Sequence, residues 1–291
     1  MNRKYPLFMD NGVAGAIRLE FLRRSVVTAK ELAANVGVSQ PTISRAIAEL
    51  GDSIVRIGRG ATSRYGMSAP IGNLGARWPL YILSPTGAPE QVGELHALAG
   101  GAWYLDAPAR KRWSSLVGDE FTDGVFPGLP WFLDDTRPQG FLGRAFARRF
   151  GPGLGFPLDP ARWSNAEVAV ALLQYGSDLP GAFVLGGDSL KQAFAPASLS
   201  PPVSDPMESY PGLAEAALAG DVAGSSVGGE QPKFVASLNS ASGPRHVIVK
   251  FSGPVEIPEN RRWSDLLVAE HLASEVLRAG GIPASVTTVL D

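Results

Sequence analysis

The chain has no cysteine and only three histidines in 291 residues. Without thiols there is no disulfide framework and no thiolate metal site. His96, His246 and His271 show no metal-ligand spacing, so each reads as an ordinary surface or core residue. No apolar run of about eighteen residues occurs, which speaks against a transmembrane helix. The opening Met1-Asn2-Arg3-Lys4-Tyr5-Pro6 is not followed by the apolar segment of a signal peptide. A cytoplasmic protein with no membrane partner is expected. Internal repeats are absent as well. With 45% hydrophobic and 19% charged residues, the chain can form two or three compact domains with their own cores.

Charge is unevenly placed. Residues 1–66 hold ten Lys/Arg against five Asp/Glu, a net +5, and the remainder holds sixteen against twenty-three, a net −7. A basic front end expects an anionic partner. Val27 to Leu50 reads as two short helices around a tight turn. Thr28 and Glu31 have capping-box spacing, Leu32 and Val36 supply an apolar face, and Gly37 marks the turn. Ser39 is an N-cap with Pro41 just inside the first turn, and Ile43, Ile47 and Leu50 face inward. This resembles a helix-turn-helix. Ser39, Gln40, Thr42, Ser44 and Arg45 form its polar outer side, of the types that meet base edges and phosphates. Ile54 to Gly60 and Ser63 to Tyr65 read as a basic hairpin, which adds Arg59 and Arg64 and predicts a winged variant. Duplex DNA is the expected partner; a helical dimerisation module with solvated arginines is the alternative.

A second pattern lies near the other end. Ser225-Ser226-Val227-Gly228-Gly229-Glu230-Gln231-Pro232-Lys233-Phe234 reads as a phosphate-cradling turn, because adjacent glycines let backbone N–H groups approach an anion closely. His246 to Phe251 alternates as a half-buried strand and places Lys250 on the face of His246 and Ile248. Arg262 to Ala279 is helix-like, and Leu266, Glu270, Ala273 and Leu277 recur at helical spacing, so Glu270 falls on an apolar stripe. A carboxylate facing a core needs a partner. Lys250 is the natural one for Glu270, although Asp265 on the same helix could take the role.

The Ser-Val-Gly-Gly-Glu-Gln-Pro-Lys loop at 226–233 and the Val-Ile-Val-Lys strand at 247–250 resemble the HipA family of bacterial serine/threonine kinases, toxins of toxin-antitoxin systems. The resemblance extends more weakly upstream through Gly128-Leu129-Pro130 and the amphipathic region from Leu172 to Leu185. The whole chain is expected to be α/β (α+β). Residues 1–66, read above as a winged helix-turn-helix, lie outside the family's minimal toxin, and the resemblance implies a HipA-like kinase N-terminal lobe over 75–291. Residues 75–220 would be its N-terminal subdomain and 221–291 its nucleotide-binding part. ATP and Mg2+ are the implied cofactors, with an unidentified protein substrate and an antitoxin as partners. Val227, Gly228, Gly229, Gln231 and Lys233 would meet the phosphates, Lys250 the α/β-phosphates, and Glu270 would orient Lys250. Ser226 matches the serine whose autophosphorylation ejects the loop in such kinases; a plain turn hydroxyl is the other reading, and Ser225 could serve instead.

The remaining segments carry weaker signals. Tyr81-Ile82-Leu83 reads as a core strand, Gly124 to Gly143 as loop, and Asn165 to Tyr175 as a helix with Val168, Leu172 and Tyr175 inward. Arg144, Arg148 and Arg149 read as a solvated helix face, and Trp103, Trp113, Trp131 and Trp163 as packing residues. Pro196 to Pro211 reads as a connector. Gly224-Ser225-Ser226-Val227-Gly228 fits the nucleophile elbow of hydrolases, but a helix precedes it and a strand follows, the reverse of what an elbow requires. The catalytic aspartate and magnesium ligands implied by the resemblance would come from a lobe after the Glu270 helix, and the chain ends at Asp291, where that lobe should begin. No kinase turnover is therefore expected of the chain alone. The second lobe would come from a longer protein or a separate polypeptide, or else the protein is a DNA-binding transcriptional regulator whose kinase-like part is non-catalytic.

Overall fold

The computed structural model describes residues 12–84, 86–108, 112–113, 118, 120–121, 123–176, 181–194, 202–220, 229–240 and 243–290. Helices and sheets are mixed, an α+β arrangement, in two compact units. The first comprises Met1–Asp135, Val168–Gly176 and Ala182–Leu190, and the second Thr136–Glu167, Ser177–Gly181 and Lys191–Asp291.

The first unit opens with α1 (Val13–Arg24), β1 (Val26–Thr28), α2 (Ala29–Val36) and α3 (Gln40–Leu50), followed by β2 (Ile54–Ile57) and β3 (Arg64–Met67). Local chemistry explains the helix boundaries. Thr28 Oγ1 accepts from the Glu31 N–H (3.2 Å), and Glu31 Oε2 accepts from the Thr28 N–H (2.8 Å), the reciprocal capping box. The Thr28 N–H and the Thr28 hydroxyl, both donating to the Glu31 carboxylate, hold its carboxyl below the usual range. Gly37 ends α2 at φ +75°, a left-handed conformation that glycine adopts without a Cβ penalty. Ser39 Oγ then accepts from the Thr42 N–H (3.4 Å) to start α3. The strands form an antiparallel sheet in the order β1-β3-β2. Ile17, Phe21, Val27, Leu32 and Ile43 are fully buried between helices and sheet. Each such side chain contributes about 1.5–3 kcal/mol by leaving water.

The same unit contains a five-stranded sheet of β4 (Arg77–Leu83), β5 (Pro89–Ala97), β6 (Trp103–Asp106), β7 (Val125–Phe126) and β8 (Phe183–Leu185), ordered β7-β6-β5-β4-β8 with every pairing antiparallel. Ile57 of the small sheet packs with Leu98, Ala102 and Tyr104, so the two sheets share a core. Tyr81, Ile82 and Leu83 do form a strand, but they are half-buried, and the buried residues of β4 are Trp78 and Leu80. The β4–β5 register shifts between Leu80 and Tyr81. The expected loop from 124 to 143 includes β7 and the short helix α4 (Trp131–Asp134). Phe132 of α4 packs edge-on to Phe126 (6.0 Å) and against Phe183 (5.1 Å). Trp103 is buried, and Trp131, 48% exposed, packs edge-on to Phe132 (5.7 Å).

The second unit is built from α5 (Gly140–Leu154), α8 (Pro206–Ala219), the antiparallel hairpin β9 (Lys233–Ser240) and β10 (Gly243–Lys250), and α9 (Pro258–Ala279). Two further helices divide between the units, α6 (Asn165–Tyr175) and α7 (Gly187–Phe194). On α6, Val168 and Leu172 are buried and Tyr175 half-buried. The core of the second unit is Phe141, Leu142, Ala217, Phe234 and Ala236, lined by Tyr210, Leu213, Val247, Val249 and Phe251. The expected connector from Pro196 to Pro211 falls partly outside the described residues, and from Pro206 onward it is helix. Asp205 accepts from the Met207 N–H (2.9 Å) and Pro206 occupies the first turn, where a missing N–H costs nothing.

Helix α9 begins at Pro258, four residues ahead of Arg262. Its apolar stripe does not face a core: no residue of α9 is buried, and Leu266 is 56% and Leu277 42% exposed. No helix among the described residues is long and apolar enough to cross a membrane.

Candidate functional site

The register of the β9–β10 hairpin sets Lys233 opposite Lys250, Val235 opposite Ile248 and Ser237 opposite His246. Directly paired residues share a face. Phe234, Ala236, Val247 and Val249 therefore pack into the core, and Lys233, Val235, Ser237, His246, Ile248 and Lys250 lie on the other side. The Ser237 Oγ to His246 Nδ1 contact of 3.0 Å belongs to that second face.

Two lysines directly opposite each other repel. The Lys250 ammonium pairs with the Glu270 carboxylate of α9. Asp265 makes no ion pair with Lys250 among the described residues. The two side chains are 33% and 49% exposed. A pair so solvated adds at most about 1 kcal/mol to stability, so stability alone gives little reason for it.

Lys233 is different, since only 2% of its surface is exposed. Its Nζ donates to the Gly229 carbonyl oxygen at 3.1 Å. Burial, and next the like charge of Lys250, push this ammonium below the usual lysine range, against the pull of Glu230 and Glu270. Beside it Gln231 carries a buried Nε2 with no hydrogen-bond partner among the described residues. An unpaired buried donor costs free energy until an acceptor arrives. Two cationic ends and an unpaired amide next to a glycine peptide fit the oxygen acceptors of a phosphate chain. Val227 and Gly228 of the expected cradle, and Ser225 and Ser226 before them, lie outside the described residues.

The end of the glycine-rich segment is tied to α5. Phe141 N–H donates to the Gly229 carbonyl oxygen (3.0 Å), and Arg144 Nη1 donates to Glu230 Oε2 (2.7 Å). Arg144, Arg148 and Arg149 are all exposed, as a solvated helix face implies, and Arg144 in addition pairs with Glu230. No local pattern announces the pairing of Arg144 with Glu230, because a contact spanning 86 residues leaves no periodic trace. Among the described residues no group of three or more His, Asp or Glu side chains could hold a metal ion.

In the first unit Gln40, Ser44 and Arg45 are exposed at the start of α3 and, with Pro41, line a shallow depression. Thr42 is half-buried, its hydroxyl 2.9 Å from that of Ser39. Arg59 is exposed on the β2–β3 connection. Arg64 is not free to meet a phosphate as expected: its guanidinium pairs with Asp123, whose other carboxylate oxygen accepts from the Val125 N–H (2.9 Å). Asp123 stands 59 residues away and was invisible to a local reading.

Two comparisons with known proteins give matches. Residues 74–194 match the family described as YjjJ-like toxin, middle domain. The chain is 35% identical over 268 residues, 90% of its length, to a protein named Toxin YjjJ from Escherichia coli (strain K12), and it spans 57% of that protein's length. No solved structure gives a significant match.

Proposed function

We propose that the second unit is the nucleotide-binding part of a HipA-type protein serine/threonine kinase, and that the whole protein is a toxin of a toxin-antitoxin system. In this reading it transfers the γ-phosphoryl of ATP to a serine or threonine of a protein and is countered by an antitoxin. The similarity to a protein named as a toxin supports the coarser part of this reading. The Lys250–Glu270 pair carries the finer part: a strand lysine held by a helix glutamate, at the end of a hairpin that a glycine-rich segment enters, is the device that grips nucleotide phosphates in kinases.

Lys250 would contact the α/β-phosphates with Glu270 keeping its ammonium in place, Lys233 would add a second cation, and the Gln231 amide would gain an acceptor. Val227, Gly228 and Gly229 would supply backbone donors, and a phosphate on Ser226 would repel those of the nucleotide. Magnesium, when bound, would neutralise charge on the phosphates, and its ligands and the catalytic aspartate are assigned to no residue here. Calorimetric titration of the chain with ATP tests the reading. Binding should be measurable and about ten-fold weaker in Lys250→Met, the loss expected for one charge-assisted contact. Equal affinity in the two proteins, or no binding at all, overturns it and favours a DNA-binding regulator whose kinase-like unit is non-catalytic.

A second reading concerns the first unit and stands beside the first. The capped α2–turn–α3 arrangement and the β2–β3 hairpin support a winged helix-turn-helix that binds duplex DNA through Gln40, Ser44 and Arg45, with Arg59 on the wing.

A further inference from the structure

The Gly229 peptide is gripped from two directions. Its carbonyl oxygen accepts from the Phe141 N–H at 3.0 Å and from Lys233 Nζ at 3.1 Å. The first donor stands in the opening turn of α5, and the second belongs to the first residue of β9. Such close approach is possible because residue 140 is glycine. It sits at φ +68°, and a Cβ there would lie 2.5 Å from the Gly229 carbonyl oxygen.

Lysine is an expensive residue for this place. A methionine of similar length would fill the same volume without desolvating an ammonium, so packing does not account for the charge. The ammonium donates a directional bond to the Gly229 carbonyl oxygen, which a thioether could not make.

We propose that Lys233 is a positioning residue. Its ammonium and the Phe141 N–H together fix the Gly229 peptide, so the exit of the glycine-rich segment is set in place at the end of the hairpin before any anion arrives. Gly140 is the residue that makes the latch possible. A segment ordered in advance loses less freedom when a ligand binds, and preorganisation of this kind appears as affinity. The phosphate-binding consequence rests on the nucleotide reading above; the latch itself does not.

The test therefore has two arms, both on the full chain. In the first, amide hydrogen exchange is followed by NMR without ligand. Phe141 protection should fall about ten-fold in Lys233→Met, as expected when a charge-assisted bond holding its acceptor is lost. It should fall comparably in Gly140→Ala, whose Cβ displaces the same carbonyl, and stay within about two-fold of wild type in Lys250→Met. In the second arm the variants are titrated with ATP, and Lys233→Met and Gly140→Ala should both bind more weakly. Wild-type protection of Phe141 in Lys233→Met overturns the proposal. Should that variant fail to fold, wild-type protection in Gly140→Ala overturns it equally. A lost Phe141 protection with no ATP binding in any protein, wild type included, upholds the latch and refutes the nucleotide reading.

Discussion

Replacing Asp123 with asparagine should strengthen the binding of duplex DNA by the first unit. Arg64 and Asp123 form a half-exposed pair, with side chains 33% and 44% accessible, across the junction of β3 with the turn before β7. The carboxylate cancels the positive charge that the wing would otherwise offer to phosphate. Asparagine keeps an amide oxygen where Asp123 Oδ1 accepts from the Val125 N–H, so the turn retains its bond. Only the charge is removed. A pair of this exposure is worth at most about 1 kcal/mol, so folding stability should fall by no more than that. The freed guanidinium gains up to about 1 kcal/mol from one phosphate in high dielectric, roughly a five-fold rise in affinity. One further phosphate contact also steepens the dependence of log affinity on log salt by about 0.9. Fluorescence anisotropy with a labelled duplex of arbitrary sequence between 50 and 200 mM salt, roughly the range in which such slopes are read, measures both quantities. An unchanged salt slope with unchanged or weaker affinity would refute the idea that Asp123 masks a DNA-facing charge.

Phe234→Ala should cost about 3–5 kcal/mol, because the ring is buried among Tyr210 at 5.4 Å, Phe251 at 5.9 Å and the start of α5. Urea unfolding followed by circular dichroism checks this, and a loss below about 1 kcal/mol would mean that the hairpin is not packed on that core. His96 is buried against Tyr104 (5.6 Å), and its pKa is lowered, chiefly by burial and to a smaller extent by Arg77, while Glu94 and Asp106 pull it upward. Its neutral form is thus favoured in the fold. The unfolded chain takes up the proton more readily, and stability present above the unfolded value of about 6.5 falls as the pH drops through it toward the lower folded value. Urea midpoints at several pH values should fall more steeply on acidification for wild type than for His96→Gln, and parallel curves would remove His96 as the source. Arg45→Ala should weaken duplex binding by about 1–3 kcal/mol if Arg45 reads a base edge. Filter binding compares it with wild type, and equal affinities would take Arg45 out of the interface.

Much of the local architecture could be read from the residues because its causes are local. The Thr28–Glu31 box, the left-handed Gly37 and the Ser39 cap each act within four residues, and all three stand as their spacing implies. The pairing of Lys250 with Glu270 followed from two periodicities, alternation along β10 and the helical repeat of α9. Periodicity shows which face is apolar and not whether anything covers it, which is why the stripe around Leu266 was expected in a core and is found exposed. Pro206 looked like a breaker until Asp205 placed it in the first turn of a helix. The bonds that tie the glycine-rich segment to α5, and Arg64 to Asp123, join residues dozens of positions apart, and no neighbouring pattern announces them.

The most direct test of the nucleotide reading is the location of ATP on the chain by backbone NMR. Titration should shift the amide signals of Gly229, Gln231, Lys233, Lys250 and Glu270 together, with a single affinity shared by all five. Shifts confined to other residues, or none at ATP concentrations in the millimolar range typical of weak binding, would contradict the assignment of this hairpin and helix as a phosphate-binding site.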